Sequence, residues 1–363
     1  MSAILIKAGK QNGKIETIRF LFAILIVYYH LTPILNKMFP SEVIYTKMIQ
    51  CNSLVGTQIV IAFFIISGYF FARGKSWEKP AKQFIIGKII KLWPAMAFSL
   101  IVNYNTTADF LNFFFLNAGM GIMTKGSSNP ASWFACNLFW CFIIYYFWFS
   151  SPPRGEDVTR RARYILCMLL VIIGFSFIAH RKTGTYHVLV SEYIPFLTNG
   201  SLLCITGFSL GIIFEVLIRN IKKNNCEAMV KSGILTDIIW LMFLGYFIYI
   251  VAFLATSYET VYYQVIFLIV LGVSIVSKNQ KSFWNHRLFL ELGSCSYTIY
   301  LMQFPCFYYL KKTILMGLWK ESTPLFLTIF GVFICVAVGA AVHYIIEIPL
   351  AKQLKQYLMP KLS

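Results

Sequence analysis

Long apolar runs alternate with short polar, mostly basic segments over the whole chain. Ten runs, near residues 15–33, 55–72, 86–103, 132–149, 164–180, 196–218, 234–255, 260–277, 288–310 and 324–347, are apolar on nearly every side of a helix rather than along one stripe. About 20 such residues carry a helix across a hydrocarbon core about 30 Å thick, and a helix satisfies its own backbone there. The pattern predicts an all-α, polytopic membrane bundle of about ten transmembrane helices, one membrane domain over residues 1–363 with tails at 1–14 and 350–363. Thr32-Pro33 predicts the end of the first helix and Pro94 a kink in the third, because proline brings no backbone N–H. The apolar stretch at 109–119, DFLNFFFLNAG, is too short to span and predicts an interfacial or re-entrant helix.

The polar residues inside those runs carry the chemistry. Arg19 and His30 lie 11 positions apart on the first helix. At 100° per residue they share one face, separated by about 16 Å along the axis. An ionisable group costs a few kcal/mol or more in a bilayer, so such residues face a protein interior or a water-filled path. Ser67-Gly68 in the second run admits two readings, close packing of helices or close approach of a ligand. Lys88 and Lys91, three apart, share a face at the end of the third helix. There they flank the membrane, reach lipid headgroups, or neutralise phosphates as point charges. His343 and Glu347 stand four apart and predict a pair on one face, with Glu347 and Glu291 also candidate partners for Arg19 or Lys88. The fifth to eighth runs show no such chemistry.

Composition agrees, with 58% hydrophobic and 13% charged residues against a quarter charged in ordinary soluble domains. The net charge of +18 would suit nucleic acid, but its placement argues for a membrane. With the N-terminus inside, most of the 32 Lys and Arg fall in the tails and in the loops at 73–91, 154–163, 219–231 and 278–287. That is the positive-inside pattern of a multi-pass protein of the cell (inner) membrane with both termini cytoplasmic. The nine cysteines make no CxxC pair and no zinc spacing, so neither a disulfide framework nor a metal is expected. The first 14 residues lead into the apolar run without a small-residue cleavage site, predicting an uncleaved first helix. Asn105-Thr106-Thr107 fits a glycosylation pattern, and His180 and His187 read as surface histidines.

These residues resemble the acyltransferase-3 family of integral membrane acyltransferases. Arg19 and His30 reproduce its R-x10-H pattern, and FFIISGYFFA, KIIKLWP, SWF, LGSCSYTIYL and Glu347-Ile-Pro349 follow in the family's order over nearly the whole chain. The chain departs where lysines 88 and 91 replace arginines and where Gln303 stands in place of a histidine found in many members. The first change removes bidentate phosphate recognition; the second removes a second imidazole. The resemblance implies an O-acyltransferase, with acetyl-CoA as donor and co-substrate, no metal, and a hydroxyl of a cell-surface or lipid-linked carbohydrate as acceptor. It implies catalytic roles for His30 and Arg19. Lys88, Lys91, Ser67, Gly68, Tyr69, Trp133 and Glu347 are then the acyl-CoA- and substrate-binding set. Some members fuse on an extracytoplasmic hydrolase-type module to complete the transfer; none is visible here, so the chain looks like a stand-alone enzyme, with a separately encoded partner as the alternative.

The chemistry fits a neutral imidazole. A hydroxyl attacking a thioester needs a base, worth 10²–10⁴-fold, and an acyl-histidine route is the variant. The alternative is a ten-helix transporter or flippase of a glycan-lipid precursor. Transporters of that size are often inverted repeats with broken helices, and the segment at 109–119 has no counterpart in the second half of the chain.

Overall fold

The structure is a computed structural model that describes residues 12–38, 55–103, 106–116, 127–150, 156–179, 198–223, 234–254, 259–277, 283–317 and 323–359. Every long regular element among them is helical: α1 Gly13–Met38, α2 Val55–Arg73, α3 Ala81–Ile101, α4 Thr107–Phe113, α5 Ser132–Ser150, α6 Glu156–Ala179 and α7 Asn199–Lys223. There follow α8 Ile234–Tyr249, extended by a π-helical turn to Leu254, α9 Thr260–Val276, α10 Arg287–Ser294, α11 Ser296–Leu315 and α12 Pro324–Val342. A π-helical turn, His343–Glu347, joins α12 to α13 Ile348–Leu358.

Eight of these helices are long and apolar enough to cross a membrane, the last running from Leu325 to Leu358. The chain is an integral membrane protein. The two remaining expected spans differ for separate reasons. α9 has 17 residues, at the lower limit for a full crossing. The run at 288–310 breaks at Cys295 into α10 and α11, and α11 carries Ser296, Thr298, Gln303 and two lysines, so its hydropathy is low. Its polar residues Ser296, Thr298 and Gln303 are buried in the protein, where their cost is met by other side chains.

Thr32-Pro33 does not end α1, which continues to Met38. Membrane helices run through proline where the surrounding protein supports them, and beside Pro33 the Thr32 hydroxyl donates to the Tyr28 carbonyl at 2.7 Å. α3 holds Pro94, the expected kink position, within its length.

α2 and α7 make the closest helix pair. A Cβ on Gly68 would overlap the carbonyl of Phe208, and one on Gly211 would overlap the carbonyl of Ile65 and stand 2.7 Å from the nitrogen of Tyr69. Without a hydrophobic force between helices in lipid, such backbone approach supplies the packing. α1 packs chiefly against α10, α11 and α12. Its first turn is fixed by Lys14, which pairs with Asp237 at 2.7 Å and donates to the Ser277 hydroxyl at 2.8 Å.

The short helix α4 is held by its own polar chemistry. Thr106 and Asp109 form a capping box. The buried Asp109 carboxylate also accepts from the Ser127 hydroxyl at 2.9 Å and from the Ser128 amide and hydroxyl at 2.9 and 2.8 Å. Beside it Asn129 donates to the Ser99 hydroxyl and to the Leu301 carbonyl, tying the segment to α3 and α11. Asn105, His180 and His187 lie outside the described residues.

Candidate functional site

A cavity of about 690 Å³ opens among α1, α2, α3, α5, α11 and the α12–α13 junction. One part of its lining is charged, with Arg19, Arg73, Lys88 and Lys91 against Glu16 and Glu347. The rest is apolar and includes Phe63, Leu138, Phe134 and Tyr300, the last two with ring centroids 5.4 Å apart. A basic mouth over an apolar wall is the form that takes an anionic headgroup and an uncharged arm.

Each basic side chain is placed differently. Arg19 pairs with Glu16, one turn back, at 2.7 Å, with 26% of its side chain exposed. The expected partners Glu291 and Glu347 are engaged elsewhere: Glu291 binds Arg287, and Glu347 takes the pair with His343 that the four-residue spacing predicts, at 2.6 Å. Lys88 has no carboxylate partner among the described residues; its ammonium lies 3.4 Å from the centroid of Phe142 and 5.1 Å from that of Phe84, a cation–π seat. Lys91 is exposed at the cavity and likewise has no ion pair among the described residues.

His30 lies outside the cavity lining, beyond its apolar part. Its Nδ1 is 3.0 Å from Gln303 Oε1, and the Gln303 amide nitrogen is committed to the Tyr300 carbonyl at 2.8 Å. Gln303 can therefore only accept from His30. The ring also has a hydrogen bond with the Ile26 backbone, one turn back on α1; a proton on Nδ1 suits the Gln303 oxygen, and that tautomer carries its lone pair on Nε2, the form a general base needs. Tyr29 and Phe304 flank the ring at 5.0 Å each. Gln303 replaces a second imidazole, but it orients the first. Tyr300, in the cavity wall, and Gln303 are one helical turn apart, so α11 links cavity and imidazole.

Of the other expected residues, Ser67 and Glu347 line the cavity, and Gly68, Tyr69 and Trp133 do not. Gly68 faces α7 in close packing. Tyr69 is buried and accepts from Arg73 Nη1 at 3.3 Å, so it positions a cavity cation. Trp133 is buried against Phe64 and Phe134. Sequence reasoning missed Glu16, Arg73, Ser294 and Ser296 in the lining. Only Glu16 carried a signal, its i,i+3 spacing from Arg19. No group of three metal-ligating side chains occurs among the described residues.

A family model described as acyltransferase domain, of the acyltransferase-3 type, matches residues 12–344. No curated protein and no solved structure matches the chain.

Proposed function

Membership of this chain in the acyltransferase-3 family of membrane acyltransferases is the premise from which we propose an O-acyltransferase that moves an acyl group, acetyl in the simplest case, from cytosolic acyl-CoA to a carbohydrate hydroxyl. The acceptor is a cell-surface or lipid-linked glycan. Family membership sets aside the carrier reading. The observation that carries the donor is the cavity itself, with four basic side chains at one part and an apolar wall beyond. The positive-inside pattern supports a cytoplasmic orientation for that basic mouth. The charged nucleotide then stays at Lys88, Lys91 and Arg19 while the uncharged pantetheine arm extends inward, over the ~16 Å that separates Arg19 from His30 along α1. His30 Nε2 takes the proton of the attacking hydroxyl, and the thiolate leaves with a proton as free CoA. Phe134 and Tyr300 form the wall across which the acyl group reaches the imidazole. Ser67, on the cavity side of α2, gives the arm a hydroxyl partner.

Mass spectrometry of surface glycans from cells with and without the gene tests the reading directly. The expected result is an acetyl increment that disappears with the gene; unchanged glycans would sink it.

Two further outcomes are expected. Neutralising Lys88 and Lys91 together to Gln should raise the acyl-CoA KM by roughly tenfold with kcat little changed, the signature of lost uniform binding, whereas Lys→Arg at both should keep most of the affinity. Steady-state kinetics in detergent or nanodiscs separate the two constants. Gln303→Leu should lower kcat by about tenfold, corresponding to ~1.4 kcal/mol, by freeing the His30 tautomer. Gln303→Glu, which still accepts from Nδ1–H, should retain more activity than Gln303→Leu.

A further inference from the structure

The basic mouth of the cavity contains a second set of acid–base groups that the transfer at His30 does not use. Ser294, the last residue of α10, places Oγ 3.2 Å from His343 Nε2. His343 Nδ1 lies 2.6 Å from Glu347 Oε2, which also accepts from the Thr298 hydroxyl at 2.8 Å. With the carboxylate accepting from Nδ1–H, Nε2 presents its lone pair to the serine. The order is nucleophile, base and orienting acid, each within hydrogen-bond reach, which is how such an array is recognised on any fold. The exposures run the same way. Ser294 is half-buried and lines the cavity, while the side chains of His343 and Glu347 are 10% and 14% exposed.

Ser296 adds a hydroxyl that this network does not use: it lines the same cavity, is 1% exposed, and its Oγ has no hydrogen-bond partner among the described residues. An unpaired buried hydroxyl costs about 1–3 kcal/mol, and the cost is recovered when a ligand oxygen accepts from it. The Ser294 proton is also poised between two acceptors, since the Glu291 carbonyl lies 2.7 Å from Oγ. Rotation of the hydroxyl from carbonyl to imidazole primes the oxygen for attack.

This centre is distinct from His30. Gly293 packs against Glu16, so Ser294 stands near the start of α1, and the 14 residues from Glu16 to His30 rise about 21 Å. One thioester carbonyl cannot meet both histidines at once.

We propose that Ser294, His343 and Glu347 form an acyl-CoA hydrolase centre, with Ser296 donating to the carbonyl oxygen. The inference rests on the reading of the cavity as the acyl-CoA site. Ser294 Oγ attacks the thioester carbon while its proton passes to His343 Nε2; the O–C bond forms, the C–S bond breaks, and the thiolate takes that proton and leaves as CoA. Water then attacks the acyl-serine ester, giving its proton to Nε2. The C–O bond to Ser294 breaks, the serine recovers its proton, and the acid departs. In this pose acyl-CoA lies about one arm's length shallower than for transfer, so its thioester rather than its nucleotide sits among Arg19 and Lys91, whose charge surrounds the thiolate and the tetrahedral oxygen.

The full-length protein in nanodiscs, given acetyl-CoA and no acceptor, tests this through release of free thiol. The wild type should release CoA continuously, and Ser294→Ala should lower the rate roughly 10²-fold or more. Ser294→Cys keeps the side chain's size and should accumulate an acetyl thioester on the peptide that holds position 294, cleaved by neutral hydroxylamine. Acetyl-CoA binding and glycan transfer by the wild type, without release that depends on Ser294 and without label on Ser294→Cys, overturns this inference alone. Absence of acetyl-CoA binding to the wild type overturns both it and the donor reading beneath it.

Discussion

Replacement of His30 by Ala is expected to lower glycan acylation by roughly 10²–10⁴-fold, the contribution of a positioned general base. The protein should still fold. His30 is half-buried on α1, flanked by two aromatic rings rather than enclosed in the tightest packing, and its loss leaves one unpaired acceptor on Gln303. That acceptor costs about 1–3 kcal/mol if it stays dry, too little to account for a thousandfold loss of turnover in protein that elutes and melts normally. His30→Gln separates the roles, because it keeps a polar partner for Gln303 and supplies no base; it should be as inactive as His30→Ala. Turnover by purified variants in nanodiscs, with acetyl-CoA and the glycan acceptor, measures both. A His30→Ala enzyme at wild-type rate would move the transfer chemistry to another residue, and His343 would be the first to examine.

Gly68→Val is expected to have the largest effect on the fold. The obstruction is backbone, the Phe208 carbonyl and its Cα at 3.0 Å, so no side chain can rotate out of the way. α2 and α7 must then separate, and Gly211 loses its seat against Ile65 and Tyr69 at the same time. Overpacking of this kind costs about 1–3 kcal/mol and often more, and in lipid the lost contact is most of what holds the two helices together. A clear fall in melting temperature and in the monodisperse fraction on detergent size exclusion should follow. Ser67→Ala, next door but facing the cavity, should melt close to wild type; a Gly68→Val protein that does the same would show that the helices are not in contact.

These two neighbours show what the sequence could and could not say about the site. The dipeptide Ser67-Gly68 announces a special position on a membrane helix; Gly68 takes the packing reading, against the Phe208 backbone, while Ser67 lines the cavity. The helices themselves were legible, since a run of 20 apolar residues has few other uses. The His343–Glu347 pair followed from four-residue spacing. The Arg19 partner obeys the same local rule, since Glu16 is three residues away, and the distant carboxylates Glu291 and Glu347 pair elsewhere. Pro33 lies inside α1 rather than at its end, because a membrane bundle tolerates a proline that an isolated helix would not. Ser294 gave no signal at all. It is 49 residues from His343, and nothing local in LGSCSY distinguishes the first serine from the second. Only packing brings those groups together, and packing is not written at any fixed spacing.

The packing of α1 on α10, α11 and α12 also sets a timetable. The first helix to leave the ribosome rests on some of the last. His30 is bound by Gln303, 273 residues downstream, and Lys14 by Ser277, 263 residues downstream. At about 5–20 residues per second, the imidazole waits roughly 15 s to 1 min for its partner to be synthesised. The arginine does not wait, because Glu16 lies within the same turn and offsets its charge as soon as that turn forms. A nascent chain thus carries a neutralised Arg19 and an unanchored His30 until α11 arrives. Loss of the last few helices would leave the first one inserted and its imidazole without the partner that orients it.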